Sequence, residues 1–213
     1  MRENSSFFDD KARWFGVLEN PLVSKIHRMA LDYGNVPAVS RIIRPLPFNN
    51  FLDVCCGLGD FSSVAKHGAY VGLDNSFRRI FYASRACRFS KFVCTDACAM
   101  PFQNQSFDLS LFAGSAHHFS DEEFFSVILE MKRVSRKHLV VADIALTDNL
   151  NKFQKFIYHL DRGKMIRHWR DIEHLLARLL GVKIESKNFY RTFPGIYCHV
   201  VFVLGIVSEE REI

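Results

Sequence analysis

The stretch Phe51-Leu52-Asp53-Val54-Cys55-Cys56-Gly57-Leu58-Gly59-Asp60 limits the fold most, because an apolar strand runs straight into a turn holding two glycines. Glycine there permits left-handed backbone and close approach of a ligand, since no Cβ intervenes. The spacing predicts a helix over Asp60 to Lys66, a second strand over Ala69 to Leu73 and a helix over Ser76 to Arg85. A third strand is expected over Phe89 to Cys94 and a fourth over Phe107 to Phe112. Ser120 with Glu123 three residues on marks the start of a helix over Asp121 to Arg133, and the Val-rich His138 to Ile144 reads as a buried fifth strand. Strands and helices alternating in this way build right-handed βαβ units, so the middle of the chain is predicted to be a doubly wound, mostly parallel α/β sheet.

The flanks read differently. Residues 1–47 carry prolines at 21, 37, 45 and 47 and an apolar spacing of Leu22, Val23, Ile26 and Met29, which predicts an N-terminal helical cover. Residues 48–213 form the expected main domain. Its tail has a helical stripe of Ile172, Leu175, Leu176, Leu179 and Leu180 closed by Gly181, then two closing strands, Val182 to Phe189 and Cys198 to Ile206, joined through Pro194-Gly195.

With 213 residues, 48% of them apolar, the chain can bury a full core without metal or disulfide support. Acids among the first ten residues and irregular spacing of the six cysteines favour reduced thiols and a cytoplasmic location. The run Val200 to Val207 is too short to span a bilayer. No metal site is expected: Cys55-Cys56 would point to opposite faces of a strand, and no C-x-x-C pair exists. The formal charge of +5 gives only a weak preference for anionic partners. Its surplus lies in the tail, where Arg162, Lys164, Arg167, His168 and Arg170 cluster, with Arg167 and Trp169 the first candidates to meet an anionic group.

In a doubly wound sheet, ligands sit beyond the carboxyl ends of the strands where strand order reverses. Asp53, Asp74 and Asp96 fall at or near three such ends. Asp74 stands 21 residues after Asp53, at the neighbouring tip, where a carboxylate can accept both hydrogen bonds of a ribose diol. A pyrophosphate would want G-x-G-x-x-G, yet Cys55, Asp60 and Ser62 depart from that text, and Asp60 would repel an anion. The local charge favours an adenosine bearing a cationic end. Each glycine or acid alone could be a turn or helix-cap residue; their joint spacing argues for a site.

These residues, with the Pro101 to Asp108 approach to strand four, make the region from about Asn50 to Ile144 resemble the class I S-adenosylmethionine-dependent methyltransferases, specifically the group called methyltransferase type 11. The Asp-Val-Cys-Cys-Gly run is similar to the first motif of quinone-ring C-methyltransferases. The resemblance implies a seven-stranded Rossmann-like sheet with an antiparallel last strand, and S-adenosyl-L-methionine as cofactor. It implies that Asp53, Cys55, Cys56, Gly57 and Gly59 hold the methionine end, Asp74 the ribose and Asp96 the adenine, with Asn75, Ala97 and Ala113 lining the cofactor. Cys55 stands where most members have glycine.

After strand four, Ala113-Gly114-Ser115-Ala116-His117-His118 lies where a methyl acceptor should meet the cofactor. His117 and His118 are the catalytic candidates, as base or substrate orienter, since histidine titrates near neutrality. The segment lacks the Asn/Asp-Pro-Pro-Tyr/Phe text of base-amino methyltransferases, which disfavours nucleic acid, and the Gly-Leu/Phe-Arg-Asn text of the quinone enzymes. The reading is methyl transfer to a small organic acceptor, aromatic or lipophilic given the aromatic ends Phe7, Phe8, Trp14, Phe15, Phe153, Phe156, Tyr158 and Trp169. The alternatives are an RNA or protein acceptor, or a methyltransferase-like domain that only binds.

Overall fold

A computed structural model describes residues 35–65, 69–160, 165–192, 195 and 197–207. The strands are β1 (Phe51–Val54), β2 (Tyr70–Asp74), β3 (Lys91–Cys94), β4 (Phe107–Ala113), β5 (Ser135–Ile144), β6 (Val182–Arg191) and β7 (Cys198–Ile206). The helices are α1 (Asn35–Ile43), α2 (Phe77–Ala86), α3 (Asp121–Val134), α4 (Lys152–Leu160) and α5 (Trp169–Ala177). Helix α1 is the described part of the expected cover of residues 1–47. The leader aromatics, Pro21 with its apolar neighbours, and Arg162, Lys164 and Pro194 lie outside the described residues.

One seven-stranded sheet has the order β3-β2-β1-β4-β5-β7-β6. β1 pairs in parallel with both β2 and β4, and β4 pairs in parallel with β5. β7 enters antiparallel between β5 and β6, as the family resemblance implied. The inner strands are buried on both faces, which explains their near-continuous apolar text. On one face Leu52, Val54, Leu73, Phe112 and Val141 meet Phe124, Val127, Ile128 and Met131 of α3 and Ile172 and Leu176 of α5. On the other, Phe51, Tyr70, Leu109, Leu111 and Val140 pack with Val39 and Ile43 of α1 and with Phe61 and Val64.

Both edges are protected against further pairing: β3 is four residues long, and β6 carries Lys183, Glu185 and Lys187. At the amino ends of the strands the buried Asp108 accepts from Asn49 N–H at 2.7 Å and Arg136 Nε at 2.6 Å, tying β4 to the approach to β1 and to β5. Burial pushes the Asp108 carboxyl up, but the Asn49 amide and the Arg136 guanidinium outweigh it and hold it at about 2.

Three expectations change. The segment after Gly59 forms successive turns instead of a helix, with Ser62 N–H donating to Gly59 carbonyl and Val64 N–H to Phe61 carbonyl. Phe61 and Val64 are buried just as a helix would have buried them. Helix α5 stops at Ala177, so Leu180 leaves the stripe and is 85% exposed. Strand β3 begins at Lys91 and leaves Phe89 outside the sheet. The capping box on α3 forms as expected: Glu123 N–H donates to Ser120 Oγ, and Ser120 N–H donates to Glu123 Oε2 at 2.8 Å.

Candidate active site

Strand order reverses at β1, whose neighbours β2 and β4 lead the chain away in opposite directions, so the crevice opens above the carboxyl ends of β1 and β4. The turn leaving β1 takes left-handed angles at Cys55 (φ 57°), Gly57 (φ 56°) and Gly59 (φ 75°). Gly59 is also sterically required, because a Cβ there would stand 2.9 Å from the Phe92 ring. At Gly57 a Cβ would meet nothing within 4 Å, so that glycine serves backbone conformation and leaves room above the turn. The turn is closed by Gly59 N–H donating to Cys56 carbonyl at 2.9 Å.

Asp74, 2% exposed at the tip of β2, binds this turn directly. Its Oδ2 accepts from Gly57 N–H and its Oδ1 from Ser76 N–H, both at 2.9 Å. It thus joins the glycine turn to the cap of α2, and each oxygen keeps a second lone pair for a hydroxyl. Asp96 follows β3, is exposed, and accepts from Cys98 N–H at 2.9 Å. Asn75 is exposed beside Asp74, and Ala97 is buried beside Asp96.

Asp53 differs from the other two acids. It is 2% exposed on the face of the sheet beneath the turn and accepts a 2.6 Å bond from the Tyr70 hydroxyl. Burial pushes its carboxyl up to about 8; the Tyr70 bond opposes the shift, while the charges of Asp60 and Asp74 add to it. Burial likewise pushes the Cys55 and Cys56 thiols up, so both stay protonated. Among the described residues no group of three candidate ligands could hold a metal.

The opposite wall of the crevice is the exit from β4: Ala113, then Gly114 (φ 64°), then a single 3-10 turn over Ala116–His118. His118 is exposed, and its ring centroid lies 4.1 Å from that of His117. His117 is anchored twice to Asp143 at the end of β5: Nδ1 lies 2.7 Å from Oδ1, and the His117 backbone N–H donates to Oδ2 at 2.7 Å. Burial works to raise the Asp143 carboxyl, but the His117 charge and the hydrogen bonds from His117 and Ile144 prevail and hold it below its ordinary value.

Arg167 fixes the same loop from the tail. It is buried, with Nε donating to Asp121 Oδ1, Nη1 to Ala116 carbonyl and Nη2 to Phe119 carbonyl, and its guanidinium lies over the Phe124 ring. The expectation that Arg167 meets an anionic substrate therefore gives way to a structural role. Trp169 packs edge-on against Phe189, with Arg170 and Lys187 over its ring. Sequence reasoning missed Tyr70, Asp143 and the loop-fixing role of Arg167. The available signal for Asp143 was an acid inside the otherwise apolar run Leu139 to Ile144. A separate hollow of about 910 Å³, lined by residues including Lys132, Lys137, Glu185 and Gly205, lies at the amino end of β5, away from the three acids.

A parallel sheet of this order with an antiparallel seventh strand, a glycine turn after the first strand and an acid closing the second is the arrangement that the resemblance to the class I S-adenosylmethionine-dependent methyltransferases implied. Residues 51–138 match the methyltransferase domain family, a span running from β1 into β5. A demethylmenaquinone methyltransferase of Thermotoga maritima is 28% identical over 143 residues, covering 64% of this chain and 61% of that protein's length. The magnesium protoporphyrin IX methyltransferase of Synechocystis, solved with bound SAH, superposes with a TM-score of 0.66 at 21% identity over 95% of both chains. The cyclase SpnF superposes with a TM-score of 0.65 at 16% identity, over 80% of this chain and 81% of its own. At such identities the superpositions establish the fold, and the cyclase illustrates that one fold carries more than one chemistry.

Proposed function

We propose that the protein binds S-adenosylmethionine in the crevice above β1 and β4 and transfers its methyl group to a small organic acceptor. The observation that carries this reading is the joining of the Cys55–Gly59 turn to the buried Asp74 through Gly57 N–H. Asp74 offers its remaining lone pairs to the ribose hydroxyls, Asp96 with Asn75 and Ala97 borders the adenine, and the open space above Gly57 admits the methionine end. Asp53 supports the turn from below, and Cys55, Cys56, Gly59 and Ala113 line the approach. S-adenosylmethionine supplies an electrophilic methyl on a cationic sulfur. The protein's share is alignment of the acceptor within about 3–3.5 Å in a crevice shielded from water, with His117 or His118 orienting it.

A small acceptor is favoured over RNA by the fate of the basic cluster. Arg167 is buried in the Asp121 pair, and Arg170 is held by Asp148 at 2.9 Å, so neither contributes to a positive track toward His117. Among the described residues no helix is long and apolar enough to cross a membrane. The quinone acceptor of the Thermotoga relative is a candidate class, although Ser115 to His118 departs from the quinone-enzyme text. Calorimetric titration with S-adenosylhomocysteine and with NAD tests the reading. Binding of the former alone is expected, and heat with NAD alone would overturn it. A screen of acceptors for uptake of labelled methyl then identifies the substrate.

A further inference from the structure

We propose that the outer face of α2, together with the segment that runs from it to β3, docks the protein on an anionic lipid bilayer. The inference goes beyond methyl transfer and does not depend on it. From Asn75 to Lys91 the chain carries Arg78, Arg79, Arg85, Arg88 and Lys91 and no acid. Helix α2 turns Ile80 and Ala83 inward. Arg78, Phe81, Tyr82 and Arg85, spaced i, i+3, i+4 and i+7, share its opposite side, and all four are exposed. Phe77 is 73% exposed at the start of the helix, and Phe89 is 90% exposed beyond its end. Single apolar residues on a surface need no explanation, but three rings along about 15 Å of helix, with a fourth just past it, do.

The helical rings form a group with their cations. The Phe77 and Phe81 centroids are 6.5 Å apart, those of Phe81 and Tyr82 are 5.8 Å apart, and the Arg85 guanidinium lies 4.6 Å from the Phe81 centroid. Rings beside arginines match the boundary between acyl chains and headgroups, where the rings enter the apolar layer and the guanidinium groups reach back to phosphates. The cations are available for this. Among the described residues Arg79 approaches Asp74 at 3.9 Å, while the exposed Arg78, Arg85, Arg88 and Lys91 pair with no carboxylate. The basic cluster of the tail differs, because Arg167 and Arg170 are held by Asp121 and Asp148.

A second copy of the chain is disfavoured as the occupant, since two such faces would bring like charges together. RNA is disfavoured because bases stack on rings that line a groove or a sheet platform, whereas these rings project from a convex helix and tilt against one another. A flat, negative bilayer suits a convex face of rings and cations. The face begins beside the crevice: Ser76 N–H donates to Asp74 Oδ1, and Phe77 is the next residue. Docking would therefore hold the border of the crevice close to the headgroups.

The test is sedimentation of the full chain with vesicles of phosphatidylcholine alone and of phosphatidylcholine with about 30% phosphatidylserine, at roughly 0.1 M and 0.5 M salt. Wild type is expected to partition roughly tenfold or more in favour of the anionic vesicles at the lower salt, and to lose most of that preference at the higher. Arg78→Ala combined with Arg85→Ala should weaken partition roughly tenfold or more, because two cations leave the membrane surface. Phe77→Ala combined with Phe89→Ala should weaken it by roughly tenfold with the salt dependence kept, which a purely electrostatic contact would not give. Urea unfolding followed by circular dichroism establishes that the variants fold. Wild type that stays in solution beside anionic vesicles would overturn the proposal even if a variant fails to fold. Partition unaffected by either double variant would overturn it as well. So would wild type that binds single-stranded RNA, or dimerises through these residues, in place of binding vesicles.

Discussion

Replacing Asp53 by asparagine should make the cofactor-free protein more stable, by a margin that grows with pH. Burial raises the Asp53 carboxyl to about 8 from an ordinary value of 3.8. Between those limits the folded protein retains a proton that the unfolded chain releases, so Asp53 lowers stability as pH rises across that window. The slope is about 1.4 kcal/mol per pH unit, or roughly 3 kcal/mol between pH 5 and pH 7. That is a sizeable fraction of the 5–15 kcal/mol that ordinarily holds a domain together. The substituted amide would keep the shape and the carbonyl that accepts from Tyr70, yet it does not titrate. Urea unfolding followed by circular dichroism at pH 5, 6 and 7 gives the difference between variant and wild type, in which every other titrating group cancels. A difference that stays constant from pH 5 to pH 7 would refute the reasoning and show that Asp53 is ionised in its buried position.

Asp74→Ala removes the acceptor for Gly57 N–H and Ser76 N–H as well as that proposed for the ribose, so S-adenosylhomocysteine affinity should drop roughly ten- to hundredfold by calorimetry. Unchanged affinity would put the ribose elsewhere. Cys55→Gly relieves a left-handed residue at φ 57°, and the gain, net of added freedom in the unfolded chain, should be about 0.5–1 kcal/mol, read as a Tm higher by about 1–4 °C. Arg167→Ala leaves the carbonyls of Ala116 and Phe119 without their donor and should cost about 2–4 kcal/mol in urea unfolding. Arg167→Lys should recover less than half of that, because one ammonium cannot span the partners that a guanidinium fork reaches.

The alternation of strands and helices, the α3 capping box and the glycine turn were legible because each rests on local periodicity or on a residue type with one conformational use. The stretch after Gly59 misled for a physical reason. Phe61 and Val64, three apart, are buried equally by a helix and by consecutive turns, so the apolar spacing carries no distinction between them. Leu180 misled because α5 ends at Ala177, four residues before Gly181, so the left-handed glycine closes the turn into β6 and not the helix. The pairing of His117 with Asp143 was not legible, since the two stand 26 residues apart and meet only because β4 and β5 align Ala113 with Ala142. Arg167 looked like surface charge; its burial follows from where the chain returns after α4, which no period in the text encodes.

The placement of β7 has a bearing on how the molecule comes into being. It lies between β5 and β6 although both precede it along the chain, and it pairs with residues 138–144 on one side and 182–191 on the other. During synthesis the sheet therefore cannot be completed until Ile206 has cleared the ribosomal tunnel. Up to that moment β5 presents a naked apolar border, the kind of surface that invites chaperones or clumping.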